Sequence, residues 1–259
     1  FSWVGLDNFN SLLSWSKGDV SYAATFGEVL TWTLIWAFFA TFTNYFLGML
    51  VAMMINKKGI RIKKFWRTCL VMTIAVPQFV SLLVINTMFQ REGIVNTMLI
   101  DSGFITEANR IQFLNDVNIA RVFVIIINLW VGIPYTIMQV TGILKNIPGD
   151  LYEAARIDGA TSFYILRKVI LPLAKPIVIY TILTAFMGPW GDFSFARYIS
   201  MNNVDGMNAA VGLFSWLNVD QINNNYTMFC AGGVVVALPV TLLFIFLQKY
   251  YVEGVTGGA

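Results

Sequence analysis

Five long apolar stretches, roughly residues 29–55, 67–89, 119–144, 176–198 and 227–248, constrain this chain more than any other feature. Each is too long for a strand, and at about 1.5 Å per residue each can cross a hydrocarbon core of about 30 Å. Backbone groups in hydrocarbon must bond within their own segment, so the stretches predict helices. Composition agrees: 57% of residues are hydrophobic and 12% charged, against about 25% charged in an ordinary soluble domain. Disorder is excluded and a water-soluble globule is disfavoured. The expected fold is an all-α polytopic membrane protein with five transmembrane helices.

Charge orients it. The connector after the first span holds Lys57, Lys58, Arg61, Lys63, Lys64 and Arg67, and that between the third and fourth holds Lys145, Arg156, Arg167, Lys168 and Lys175. Segment 90–118 sets Arg91 and Arg110 against Glu92, Asp101, Glu107 and Asp116, and segment 199–226 has Asp205 and Asp220 with no Lys or Arg. Basic connectors stay in the cytoplasm. Residues 1–28 are therefore expected outside, 29–248 as the transmembrane domain with a cytoplasmic loop at 145–175, and 249–259 as a cytoplasmic tail. The aromatic segment 1–28 suits either the outer interface or a packed loop. The chain opens on Phe1, so residues are expected upstream.

Missing chemistry narrows the function. Histidine is absent, which removes imidazole acid–base work, His metal sites and the Ser–His–Asp triad. Cys69 and Cys230 sit in apolar runs and do not suggest a structural disulfide. There is no phosphate-binding G-x-x-x-x-G-K-[ST] loop, no metal-ligand cluster and no Cys–His pair. Ionisable groups inside the spans are nearly confined to Asp192, whereas ion-coupled carriers usually need a relay of them. Energy is thus expected from outside the chain, with no cofactor of its own and no nucleic-acid partner.

Residues 145–176 read as two short helices too polar to cross. Pro148-Gly149 breaks the chain, and Asp150 with Glu153 has capping-box spacing. Asp158-Gly159 is a turn signal, and Thr161 can cap a second helix ending before Pro172. Glu153-Ala154-Ala155, three residues, Gly159, nine residues, Val169, one residue and Leu171-Pro172 resemble the EAA loop of binding-protein-dependent ABC importer permeases, with Val169 where isoleucine is usual. VGLDNF, NLWVGIPY and YYVEGVTGGA extend the resemblance over nearly the whole chain, to carbohydrate permeases of maltose-type importers, MalF-like more than MalG-like. MalF-like subunits usually carry extra spans upstream of this core.

The resemblance implies that Glu153, Ala154, Ala155, Asp158 and Gly159 form the coupling helix that docks on a separate ATPase. Further spans hold candidates for a solute path. Asn128, Gly132 and Tyr135 share one face of the third span, where they suit either helix packing or sugar. The resemblance places solute there. Gly188-Pro189 and Gly191 interrupt the fourth span, as broken spans do at transport sites. Trp190 could stack on a sugar and Asp192 accept its hydroxyls, or Asp192 could pair with Arg197. The family is Asn-rich at this stretch. Gln78 and Gln139 are weaker candidates, each equally suited to bonding a neighbouring helix.

The implied function is the permease subunit of an ATP-driven sugar importer in a prokaryotic cell membrane, with a malto-oligosaccharide or other oligosaccharide as solute. Its implied partners are a second permease subunit in a heterodimer, an ATPase dimer carrying ATP and magnesium, and an extracytoplasmic solute-binding protein. A stand-alone ion-coupled sugar carrier is the alternative. A membrane enzyme on lipid-linked sugar is disfavoured, because glycoside chemistry wants two carboxylates and Asp192 stands alone at its depth.

Overall fold

The computed structural model describes residues 3–13, 22–57, 59–146, 148–200, 206–217 and 222–256, and among these every regular element is helical. In chain order they are α1 (Asp7–Leu13), α2 (Tyr22–Asn56), α3 (Lys63–Met72), α4 (Gln78–Phe89), α5 (Ile94–Asp101), α6 (Val117–Asn146), α7 (Gly149–Ile157), α8 (Ser162–Ile165), α9 (Leu171–Leu173), α10 (Lys175–Gly191), α11 (Phe193–Ser200), α12 (Ala209–Ser215) and α13 (Ile222–Thr256). Lys58, Asp205 and Asp220 of the charge argument lie outside the described residues, as do parts of segment 1–28 and the end of the tail.

Three stretches are long and apolar enough to cross a membrane: Phe26–Asn56, Val117–Gly142 and Tyr226–Tyr250. Two helix pairs, each bent at a short break, raise the number to as many as five: Lys63–Ala75 with Gln78–Asp101, and Ser162–Leu173 with Val178–Gly191. The second expected span is therefore not one continuous helix, and the fourth is divided between α10 and α11. In the second, Pro77 has no N–H, and its ring pushes Val76 away from helical backbone angles. Pro77 adopts φ −54° and ψ 128°, and its carbonyl accepts the Val80 N–H at 3.0 Å to start α4. The fourth breaks at Asp192. Pro134, Pro189 and Pro239 are carried inside α6, α10 and α13 without ending them.

The chain packs as two compact units. The first comprises Phe1–Ala40, Val76–Asn128 and Phe186–Thr241. Its core gathers Leu12, Phe26, Leu213, Trp216 and Ala231, with Phe9 and Met228 against them. α1 is thus packed by Phe9 and Leu12, while Trp3 stays 97% exposed. Phe89, Phe113 and Phe123 make a second aromatic cluster, with centroids 4.4–5.5 Å apart. Asn96, fully buried, exchanges both its amide groups with the backbone of Ile111 at 2.9 Å, which pins the loop between α5 and α6. Arg110 grips Glu107 with two hydrogen bonds and reaches Glu92 at 3.3 Å.

The second unit comprises Thr41–Ala75, Leu129–Ala185 and Leu242–Ala259. Ala52, Ile55, Ile137 and Val140 form its core between α2 and α6. Two glycines set how closely these helices approach. A methyl at Gly48 would lie 2.6 Å from Thr136 Cβ, and one at Gly132 would collide with the Asn44 amide. Apolar side chains elsewhere face outward, including Phe38, Phe42 and Phe46 on α2 and Val234, Leu238, Leu242 and Phe246 at four-residue intervals on α13. Such surface suits lipid and no aqueous solvent.

Two expectations follow. Gly48→Ala costs about 1–3 kcal/mol through overpacking, whereas Gly142→Ala, whose methyl meets nothing within 4 Å, is neutral or stabilises by up to about 1 kcal/mol. Thermal unfolding in detergent separates them. The hydrogen bond from Arg110 also holds the Glu107 carboxyl below the usual carboxylate range. A carboxyl lowered in the folded state contributes stability above its unfolded pKa and loses it as pH falls through the folded value. Arg110→Gln therefore moves the Glu107 midpoint upward in a carboxyl NMR titration.

Candidate functional site

The second unit carries the loop singled out by its spacing. α7 starts behind Pro148, so Asp150 lies inside its first turn rather than at its cap, where its charge still faces the positive helix end. The other end is closed by backbone geometry. Gly159 takes φ +79°, its N–H bonds the Arg156 carbonyl at 3.0 Å, and the Ala160 N–H bonds the Ala155 carbonyl at 2.9 Å. These are the two bonds of a Schellman closure, and its left-handed residue costs glycine least. Thr161 then caps α8, its hydroxyl accepting the Tyr164 N–H at 3.3 Å. The second helix does not stop before Pro172. Leu166–Ile170 winds as a π turn and continues through Pro172 into α9. A wider turn accommodates a residue with no N–H to give.

Glu153, Ala154, Asp158 and Gly159 are exposed and Ala155 is half-buried. Ile157 is 85% and Phe163 70% exposed, with Tyr164 and Leu151 also outward. α7 has nine residues, far too few to span. The short helix thus exposes apolar and small side chains on a connector that also carries Lys145, Arg156, Arg167 and Lys168.

In the first unit, polar groups gather where α10 gives way to α11. Asp192 is the cap of α11: its Oδ1 accepts the Phe195 N–H at 2.8 Å. Its Oδ2 accepts the Gln78 amide N–H of α4, also at 2.8 Å. Asn208, fully buried, donates to the carbonyls of Pro189 and Asp192 at 3.1 Å each and accepts the Val211 N–H at 3.0 Å. The Asn86 amide donates to the Tyr198 carbonyl at 3.0 Å, a second clamp between α4 and α11. The hydroxyl of Thr33 accepts the Ala209 N–H at 2.9 Å.

Trp190 does not present the open ring face expected of it. It is 4% exposed, stacked on Phe186 with centroids 5.6 Å apart, and its indole donates to the Val236 carbonyl at 3.0 Å. Gly132 faces Asn44 at the helix crossing described above. Asn128 is half-buried and Tyr135 48% exposed, and among the described residues no side-chain hydrogen bond reaches either. Asn128, Trp190 and Asp192 belong to the first unit, Gly132 and Tyr135 to the second. Gln78 earns its place through Asp192. Asn208 is the residue that sequence reading misses, although an Asn just before the apolar run Ala209–Ser215 is a helix-cap signal.

Comparison with known proteins adds to this geometry. A family model described as binding-protein-dependent transport system inner membrane component matches residues 44–257. The galactooligosaccharides transport system permease protein GanP of Bacillus subtilis (strain 168) is 30% identical over 254 residues, covering 96% of this chain and 59% of that protein. The maltodextrin transport system permease protein MalC of Streptococcus pneumoniae serotype 4 is 28% identical over 249 residues, covering 92% of this chain and 56% of that protein. The chain thus spans between half and two-thirds of the length of these relatives. A crystal structure of a bacterial ABC transporter involved in the import of the acidic polysaccharide alginate shares the fold, with TM-score 0.75 over 97% of this chain and 84% of that one at 18% identity.

Asn208→Ala takes the Asn208 donor from the Pro189 carbonyl, leaves the Asp192 carbonyl only the Ala196 N–H at 3.3 Å, and uncaps α12. A loss of about 1–3 kcal/mol is expected, read as a fall in the thermal midpoint. Asn208→Asp, which keeps the cap but not the amide donors, should be nearly as harmful.

Proposed function

Because the chain belongs to the family of binding-protein-dependent transport system inner membrane components, we propose that it is a permease subunit of an ATP-driven sugar importer, multi-pass in the cell membrane, with its basic connectors in the cytoplasm. It is not itself an enzyme. ATP and magnesium bind a partner ATPase dimer, a second permease subunit completes the path in a heterodimer, and an extracytoplasmic binding protein delivers the solute. An oligosaccharide fits best, with malto-oligosaccharides first, by analogy with the named relatives.

The observation that carries this reading is α7, a short helix closed by Gly159 with its Glu153–Ala154 surface and Ile157 turned outward. Small residues let a partner's backbone come close, Glu153 gives the contact a charge, and the left-handed turn fixes the angle to α8. A ligand-driven partner moves an equilibrium only through unequal contacts with its two states. ATP-bound closure of the ATPase dimer supplies the inequality: the docked α7 is carried with the closing subunits and biases the permease toward outward access. Asn128, Tyr135, Gln139 and the Gln78–Asp192 pair are groups that can offer hydrogen bonds to solute hydroxyls.

The test is reconstitution of the full-length protein with its partner subunits and binding protein, reading solute-stimulated ATP hydrolysis and uptake together. Gly159→Pro forbids the positive φ, and Glu153→Lys inverts the charge. Each is expected to lower both readouts tenfold or more while the chain still inserts. Gly159→Ala, which costs about 1–2 kcal/mol of backbone strain, falls between. Coupling unchanged in Gly159→Pro, or uptake driven by an ion gradient in vesicles holding this chain alone, would overturn the proposal.

A further inference from the structure

A cavity of about 810 Å3 opens in the second unit, inside the roughly 300–1,000 Å3 range of ligand sites. It lies where α2 and α6 end and the α7–α8 pair begins, so that its walls come from the basic ends of two long apolar helices and from the short helices between spans. Lys57, Lys145 and Arg156 line it, and Glu153 is the single carboxylate on its wall. Among the described residues no ion pair satisfies any of the three cations. Tyr152 lines it as well, and burial pushes its hydroxyl pKa up, which keeps it a hydrogen-bond donor.

The remaining wall is apolar. Met53, Leu144, Leu166 and Ile170 line the cavity. Cations on one part of the cavity and an apolar wall on another match a molecule with an anionic head and a hydrocarbon tail. A free anion would have no use for the apolar wall, and a neutral lipid none for three unpaired cations. The position also fits, since helix ends of this kind sit at headgroup depth, where each Lys or Arg attracts anionic lipid by about 1 kcal/mol.

We propose that this cavity is a binding site for an anionic phospholipid, its phosphate held by Lys57, Lys145 and Arg156 and its acyl chain laid against Met53, Leu144, Leu166 and Ile170. The lipid bridges the ends of α2 and α6 to α7. It therefore steadies the seat of the α7–α8 pair, whatever the transported solute is.

Native mass spectrometry of the purified full-length protein, released from nanodiscs of equimolar phosphatidylglycerol and phosphatidylcholine with matched chains, tests this. Retained phosphatidylglycerol should exceed phosphatidylcholine at least fivefold. Lys57→Gln/Lys145→Gln should lower phosphatidylglycerol retention at least tenfold, since each lysine is worth about fivefold. Lys57→Arg/Lys145→Arg should keep it, which separates lost charge from lost folding. Lys64→Gln, exposed and outside the cavity, should leave it unchanged. Equal retention of the two lipids, undiminished phosphatidylglycerol on the Gln double variant, or its displacement by millimolar inorganic phosphate would each overturn the proposal. None of these readouts involves ATP hydrolysis, so they stand or fall apart from the importer reading.

Discussion

Every backbone amide and carbonyl in hydrocarbon needs a partner inside the protein, and the features that make this fold specific sit where a helix cannot supply one. At the α10–α11 break Asn208 and Asp192 take over: Asn208 satisfies two carbonyls, and Asp192 satisfies an amide of the new helix. At Pro172 a π turn absorbs the missing N–H. Outside the spans, at the exposed Gly159, two crossed backbone bonds close α7 in the same way. Breaks satisfied from within are fixed in angle.

The same constraint separates packing from transport chemistry. Polar side chains spent on backbone groups, such as Asn86, Asn96 and Asn208, are buried and structural. Other polar side chains, among them Asn128, Gln139 and Tyr135, carry no such side-chain hydrogen bond among the described residues. The carboxylate of Asp192 is held by the neutral Gln78 amide and by the Phe195 backbone N–H.

Much of this is legible in the residues. Apolar length marks the long helices, and the Thr161 cap and the Gly159 bend follow from residue type at the right offset. The breaks are harder. Pro77 ends a helix while Pro134, Pro189 and Pro239 do not, because the outcome depends on what compensates the lost bond, which is tertiary. The direction of Trp190 is hidden for a similar reason. Helical period places it on a face but does not tell that Phe186 and the Val236 carbonyl already occupy its ring and its N–H. Gly132 reads equally as a solute contact or a packing notch until Asn44 appears opposite it.

The central claim is that α7 is held by a separate ATPase and moves with it. A photoreactive cross-linker at the exposed Ala154, in the full-length protein assembled with its partners in a bilayer, measures this most directly. The account predicts one dominant adduct, to the ATPase subunit, with a yield that changes between nucleotide-free and ATP-bound states. Adducts confined to lipid or water, in both states, would contradict it.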